Sequence, residues 1–121
     1  MGRDLGVPVG SGRFLIDNIP FYAKNLSCGD VVEAEKKGND LIFKCVVEPS
    51  TNSTIRIVIY DLMEEAEIRD NLLSMKCSVE GTGTPGLIAV NVPKASLEEV
   101  TDFVAEAFAN EKLDFEEGAL R

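Results

Sequence analysis

The sequence predicts an α+β domain, and three observations carry that prediction. Runs rich in β-branched and other apolar residues at 31–35, 41–48, 54–60 and 87–92 read as strands. Two segments opening at Asp61 and Ser96 carry apolar residues at helical spacing. From Thr54 onward the elements alternate as β-α-β-β-α, with a final strand around Leu113 to Glu116. That order is the ferredoxin-like split βαβ pattern, here preceded by an N-terminal strand and a β-hairpin.

Residues 1–12, MGRDLGVPVGSG, lack periodicity and carry repeated glycine and proline, which predicts a flexible tail ahead of a single α+β domain over 13–121. Phe14 to Ile16 forms a short strand, ended at Asn18-Ile19-Pro20. The segment IPFYAKNLSCGD is a loop whose Phe21, Tyr22 and Leu26 are apolar enough to pack on the core. VVEAE and LIFKCVVE flank the polar break KKGND at 36–40 and pair as a hairpin. These early strands extend the main sheet or form a small barrel against it.

The strand 54–60 places Ile55, Ile57 and Ile59 on one face and Thr54, Arg56, Val58 and Tyr60 on the other. Asp61 with Glu64 resembles an acidic cap for a helix over about 63–75, whose apolar positions are Ile68, Leu72 and Met75. Ser96 with Glu99 reads as a capping box. The helix it opens has the stripe Val100, Phe103, Val104, Ala107 and Phe108. Between the helices lie a short strand at 77–80, the turn GTGTPG at 81–86, and the strand 87–92 stopped by Pro93.

Composition then bounds function. The 121 residues contain no histidine, and 21 Asp and Glu against 12 Lys and Arg give a net charge of −9. Without histidine the commonest general base and metal ligand is missing, and the chain is read as a non-enzyme without cofactor or metal. The acidity argues against nucleic acid as partner, whose affinity rests on basic residues. No segment is apolar for long enough to span a bilayer, and Met1 to Gly12 does not read as a secretory signal. Cys28, Cys45 and Cys77 form no CxxC and are read as buried reduced thiols in a cytoplasmic protein.

Individual motifs have modest readings. GTGTPG lacks the lysine and hydroxyl of a Walker loop and joins two strands, so a wide hairpin turn explains it better than a phosphate cradle. Arg56, mid-strand among apolar residues, calls for an acid across the sheet, and Glu33, Glu35 and Glu48 are the candidates; the alternative makes it an anion clamp together with Gly81 and Gly83. Of the possible nucleophiles Ser27, Cys28, Asp30, Ser50, Ser53 and Thr54, none has an evident base; Lys24 lies near Ser27 and Cys28 in sequence, and an enzyme using Cys28 with Lys24 would lack an orienting group.

The segments Ile19-Pro20-Phe21-Tyr22-Ala23-Lys24, Gly29-Asp30-Val31-Val32-Glu33-Ala34-Glu35 and Ser53-Thr54-Ile55-Arg56 resemble the family called domain of unknown function 4265. So do Gly81, the run Gly86-Leu87-Ile88-Ala89-Val90-Asn91-Val92-Pro93 and the closing Asp114-Phe115-Glu116-Glu117-Gly118. The similarity covers nearly everything after the tail, with Asn52 where a glycine often stands. It implies a bacterial, cytoplasmic, single-domain protein and brings no activity or catalytic residues.

The leading expectation is therefore an acidic interaction protein of the immunity or antitoxin type, binding a basic toxin domain through Glu64, Glu65, Glu67, Asp114, Glu116 and Glu117. A homodimer is compatible with it. The alternative is a small-molecule regulatory module with ligand contacts at Arg56 and the Gly81 to Gly86 turn.

Overall fold

In the computed structural model, which describes residues 6–17, 19, 25–38 and 40–121, the chain forms two antiparallel sheets and two helices. The first sheet has the order β1 (Val7–Gly10), β2 (Arg13–Leu15), β3 (Val31–Lys37), β4 (Asp40–Glu48). It is a sheet of its own, not an extension of the main one. Its small core gathers Ile16, Leu26 and Val32, with Phe14 and Val46 against them. Phe21, Tyr22 and Lys24 lie outside the described residues.

The expected tail is shortened by this sheet. Val7 pairs with Leu15 and Pro8 with Phe14 across the turn at Ser11 and Gly12, whose positive φ of 70° suits glycine. Glycines that read as breakers in the sequence serve here as hairpin chemistry. The hairpin of β3 and β4 forms as expected, with Glu33 opposite Cys45 and Glu35 opposite Ile42.

The second sheet has the order β6 (Ser78–Gly81), β7 (Leu87–Val92), β5 (Ser53–Ile59), β8 (Leu113–Ala119). Helices α1 (Glu65–Ser74) and α2 (Leu97–Ala109) cover one of its faces. The alternation in β5 decides which face. Ile55, Ile57 and Ile59 are buried with Ile68 and Leu72 of α1 and Val100 and Val104 of α2, forming the main core. Each such side chain contributes roughly 1.5–3 kcal/mol by leaving water. Arg56 and Thr54 point away from the helices, together with exposed Val58.

Both helices start one turn early. Asp61 caps a 3-10 turn, Leu62–Glu64, by accepting from the Met63 amide at 3.0 Å. Glu64 does not reciprocate; it pairs with Lys112. The capping box at Ser96 is absent because a 3-10 turn, Lys94–Ser96, already brings Ser96 into helical backbone conformation, and its buried side chain makes no cap bond. Phe108 departs from the expected stripe. It is half exposed and meets Phe115 edge to face, with ring centroids 5.7 Å apart.

A polar junction joins the sheets. Asp30, fully buried, accepts from the Ser27 amide at 2.9 Å, the Ser50 amide at 2.7 Å and the Arg121 guanidinium at 2.6 Å. Arg121 also donates to the Ser50 carbonyl, and its amide donates to Ser53 Oγ. The buried Ser27 and Thr54 hydroxyls share a 2.7 Å hydrogen bond, and Thr54 also donates to the Leu26 carbonyl. Buried polar groups are thereby satisfied where two sheets meet.

Candidate functional site

The helix layer carries most of the chain's unbalanced charge. Glu65, Glu67 and Asp70 on α1 and Glu98, Glu99, Asp102 and Glu106 on α2 face a single basic residue, Arg69. Arg69 is already bound to Glu65, four residues away, at 3.1 Å. Glu98, Asp102 and Glu106 repeat at i, i+4, i+8 and are all exposed, so they form one stripe along α2. Like charges at that spacing cost a helix a few tenths of a kcal/mol per pair, on the order of 0.2–0.5. Glu106 stands toward the C-terminal end of α2, where no basic residue offsets the helix dipole.

Between the helices lies a cleft of about 180 Å³. Ile68, Phe103 and Ala107 supply its apolar walls, and Glu64, Glu67 and Glu106 its acids. Lys112 reaches it from the loop before β8 and pairs with Glu64 at 3.5 Å. Pockets for drug-sized ligands and cofactors run to roughly 300–1,000 Å³. This cleft is smaller. Its size is closer to that of one side chain than to that of a cofactor.

The expected contact residues are divided between two sides of the main sheet. Glu64 and Glu67 line the cleft, and Glu65 is occupied: one oxygen takes Arg69, the other the Gly86 amide at 3.2 Å. On β8, Leu113 and Phe115 pack toward the helices, so Asp114 and Glu116 face the other way. Glu117 stands opposite Ile55 on the edge strand β8. These six acids therefore make no single surface, and Glu106, which the sequence reading passed over, completes the cleft. Its signal was the four-residue spacing of acids on α2.

Arg56 finds a different acid from those expected. Its Nε donates to Glu116 at 2.8 Å, since Glu116 is its register partner on β8. Glu33, Glu35 and Glu48 belong to the other sheet. The guanidinium lies on Gly118, where a Cβ would come within 2.9 Å of its terminal nitrogens. The anion clamp is not assembled. Gly81 presents its missing Cβ to Arg69, beside α1, while Arg56 lies on the opposite face, and Gly83 has no neighbour within 4 Å of that position. GTGTPG is the hairpin turn between β6 and β7, held by the Glu65 contact.

The cysteines differ from one another. Cys45 is exposed, which corrects the expectation of three buried thiols, and it follows from the outer, solvent-facing position of edge strand β4. Burial, then Glu80, Asp17 and Asp30, raises the Cys28 thiol, so it stays protonated at neutral pH. Burial, with Glu99 adding to it, pushes Cys77 up to about 11. Timed alkylation with iodoacetamide at pH 8 should label Cys45 first and Cys77 last, as read by peptide mass spectrometry. Rapid labelling of Cys28 would contradict its environment.

Among the described residues, no three His, Cys, Asp or Glu side chains gather to hold a metal ion, and no helix is long and apolar enough to cross a membrane. The family model described as Domain of unknown function (DUF4265) matches residues 5–114. A search of curated proteins finds no match. Among solved structures, one described as "Novel crystal structure of a hypothetical protein from Neisseria gonorrhoeae" is similar at 25% identity and a TM-score of 0.81, covering 90% of this chain and 76% of its own.

Proposed function

The chain belongs to the DUF4265 family, whose description attaches no activity to it, and from that premise we propose a non-enzymatic interaction protein whose acidic helix face binds a basic protein partner. The observation that carries the reading is the acid stripe of α2. Glu98, Asp102 and Glu106 repel one another with no basic residue on the same helix, a cost that a cationic partner would offset. A net charge of −9 would also speed encounter with a positive surface. The partner class we put forward is a basic toxin domain, the chain acting as its cytoplasmic inhibitor, where three free cysteines are at home. The β-α-β-β-α-β unit, which we read as ferredoxin-like, is the scaffold that holds the two helices side by side.

Tagged protein used as bait at low and moderate salt tests this reading. A stoichiometric basic partner that weakens with salt is expected. Asp70→Lys with Asp102→Lys should reduce its affinity at least about tenfold, a loss of roughly 1.4 kcal/mol. Asp114→Lys with Glu48→Lys, one on the far face of the main sheet and one on the first sheet, should leave it nearly unchanged. Equal losses in both pairs would mean that net charge alone matters and would remove the helix face from the account.

A further inference from the structure

Resting on that reading, we propose that the cleft between α1 and α2 receives one arginine or lysine side chain of the partner. Its cationic head would lie between Glu67 and Glu106, and its aliphatic stem would run along Ile68, Phe103 and Ala107. Four properties of the cleft specify this occupant.

Size is the first. A space of about 180 Å³, below the range of drug-sized pockets, has room for a single long side chain. Wall chemistry is the second: Ile68 and Ala107 are buried and Phe103 partly buried, so the walls are apolar while the rim is acidic. Lysine and arginine have the same division, with methylenes that pack on apolar surface and a charge kept at the polar end. The third property is compensation. Glu64 already holds the Lys112 ammonium, whereas Glu67 and Glu106 have no ion pair among the described residues. Placement is the fourth. The two uncompensated carboxylates come from different helices and line the same cleft, so one cation can serve both.

Lys112 shows the same chemistry within the chain. Its ammonium reaches the cleft from the β8 side and is held there by a glutamate. The vacant pair lies beside it, on the helical faces turned toward a partner approaching the acid stripe. An arginine could bridge both carboxylates through its planar fork, and its face could rest on Phe103.

The test uses the full chain and three short probes, acetyl-Gly-Arg-Gly-amide, acetyl-Gly-Lys-Gly-amide and acetyl-Gly-Gln-Gly-amide, titrated to millimolar concentration against amide NMR signals. The arginine or lysine probe should give saturable shifts concentrated at Glu67, Ile68, Asn71, Phe103 and Glu106, and the glutamine probe none. Glu67→Gln with Glu106→Gln should weaken that binding at least fivefold. Asp114→Asn with Glu117→Gln, which removes the same charge elsewhere, should weaken it less than twofold. Shifts spread over the whole acidic surface, equal losses in the two double variants, or no saturable shift at all would each overturn the assignment. Failure here is separable from failure of the broader reading. A partner still captured by the Glu67→Gln, Glu106→Gln protein at full affinity would retain the helix face and remove only the cleft.

Discussion

Asp30→Ala is expected to lower folding stability by about 3–5 kcal/mol, the usual cost of removing one member of a buried ion pair. The carboxylate is wholly buried and takes three donors: two backbone amides, of Ser27 and Ser50, and the Arg121 guanidinium. Alanine would leave the two amides and a partly buried cation without their acceptor, and water has little access to replace it. Equilibrium urea unfolding at pH 7 gives the measurement. Asp17→Ala, at an exposed position, serves as the reference and should change stability by about 0.5 kcal/mol or less. A loss at Asp30 below about 1 kcal/mol would show that the junction is not what holds the sheets together.

Glu116→Gln should cost up to about 1.5–3 kcal/mol, the range of a hydrogen bond to a charged group. The partners are unequal: the Arg56 side chain is 7% exposed and that of Glu116 is 54% exposed. Removing the acid weakens the compensation of a guanidinium that water hardly reaches. Removing the base instead leaves an acid that water can solvate. Arg56→Met should therefore be milder than Glu116→Gln, because an apolar side chain of similar length removes the buried charge altogether. Thermal unfolding of both variants decides the order, and the reverse ranking would mean that packing of the arginine stem, and not its charge, is what the sheet requires.

These two sites also show what could be read from the sequence and what could not. The alternation Ile55, Ile57, Ile59 was sufficient to assign the core face of β5, because a strand side chain can point only two ways. It also placed Arg56 on the opposite face. It could not name the acid, since Glu116 lies 60 residues away and becomes a neighbour only through the pairing of β5 with β8. Asp30 and Arg121 were hidden for the same reason, being 91 residues apart.

Local chemistry misled in two places. The glycines of residues 1–12 are equally compatible with a loose tail and with a tight turn, and pairing of Val7 with Leu15 selects the turn. Ser96 and Glu99 have capping-box spacing, yet Pro93 starts the helical path three residues earlier, so the serine is no longer at the entry. The acids of the cleft were half legible. Spacing brings Glu98, Asp102 and Glu106 to one face of α2, but only tertiary packing sets Glu106 beside Glu67.

The junction at Asp30 bears on the order in which the molecule can assemble. β3 and β4 are close in sequence, so the first sheet can begin to form as soon as residues 7–48 have left the ribosome. Its lock to the second sheet cannot close then, because Arg121 is made after every described element. Until it arrives, Asp30 has its two amides but no countercharge, and the sheets are joined by neutral contacts such as the Ser27–Thr54 hydrogen bond. Synthesis therefore separates formation of the first sheet from its fixation, which Arg121 completes after every described strand and helix has been made.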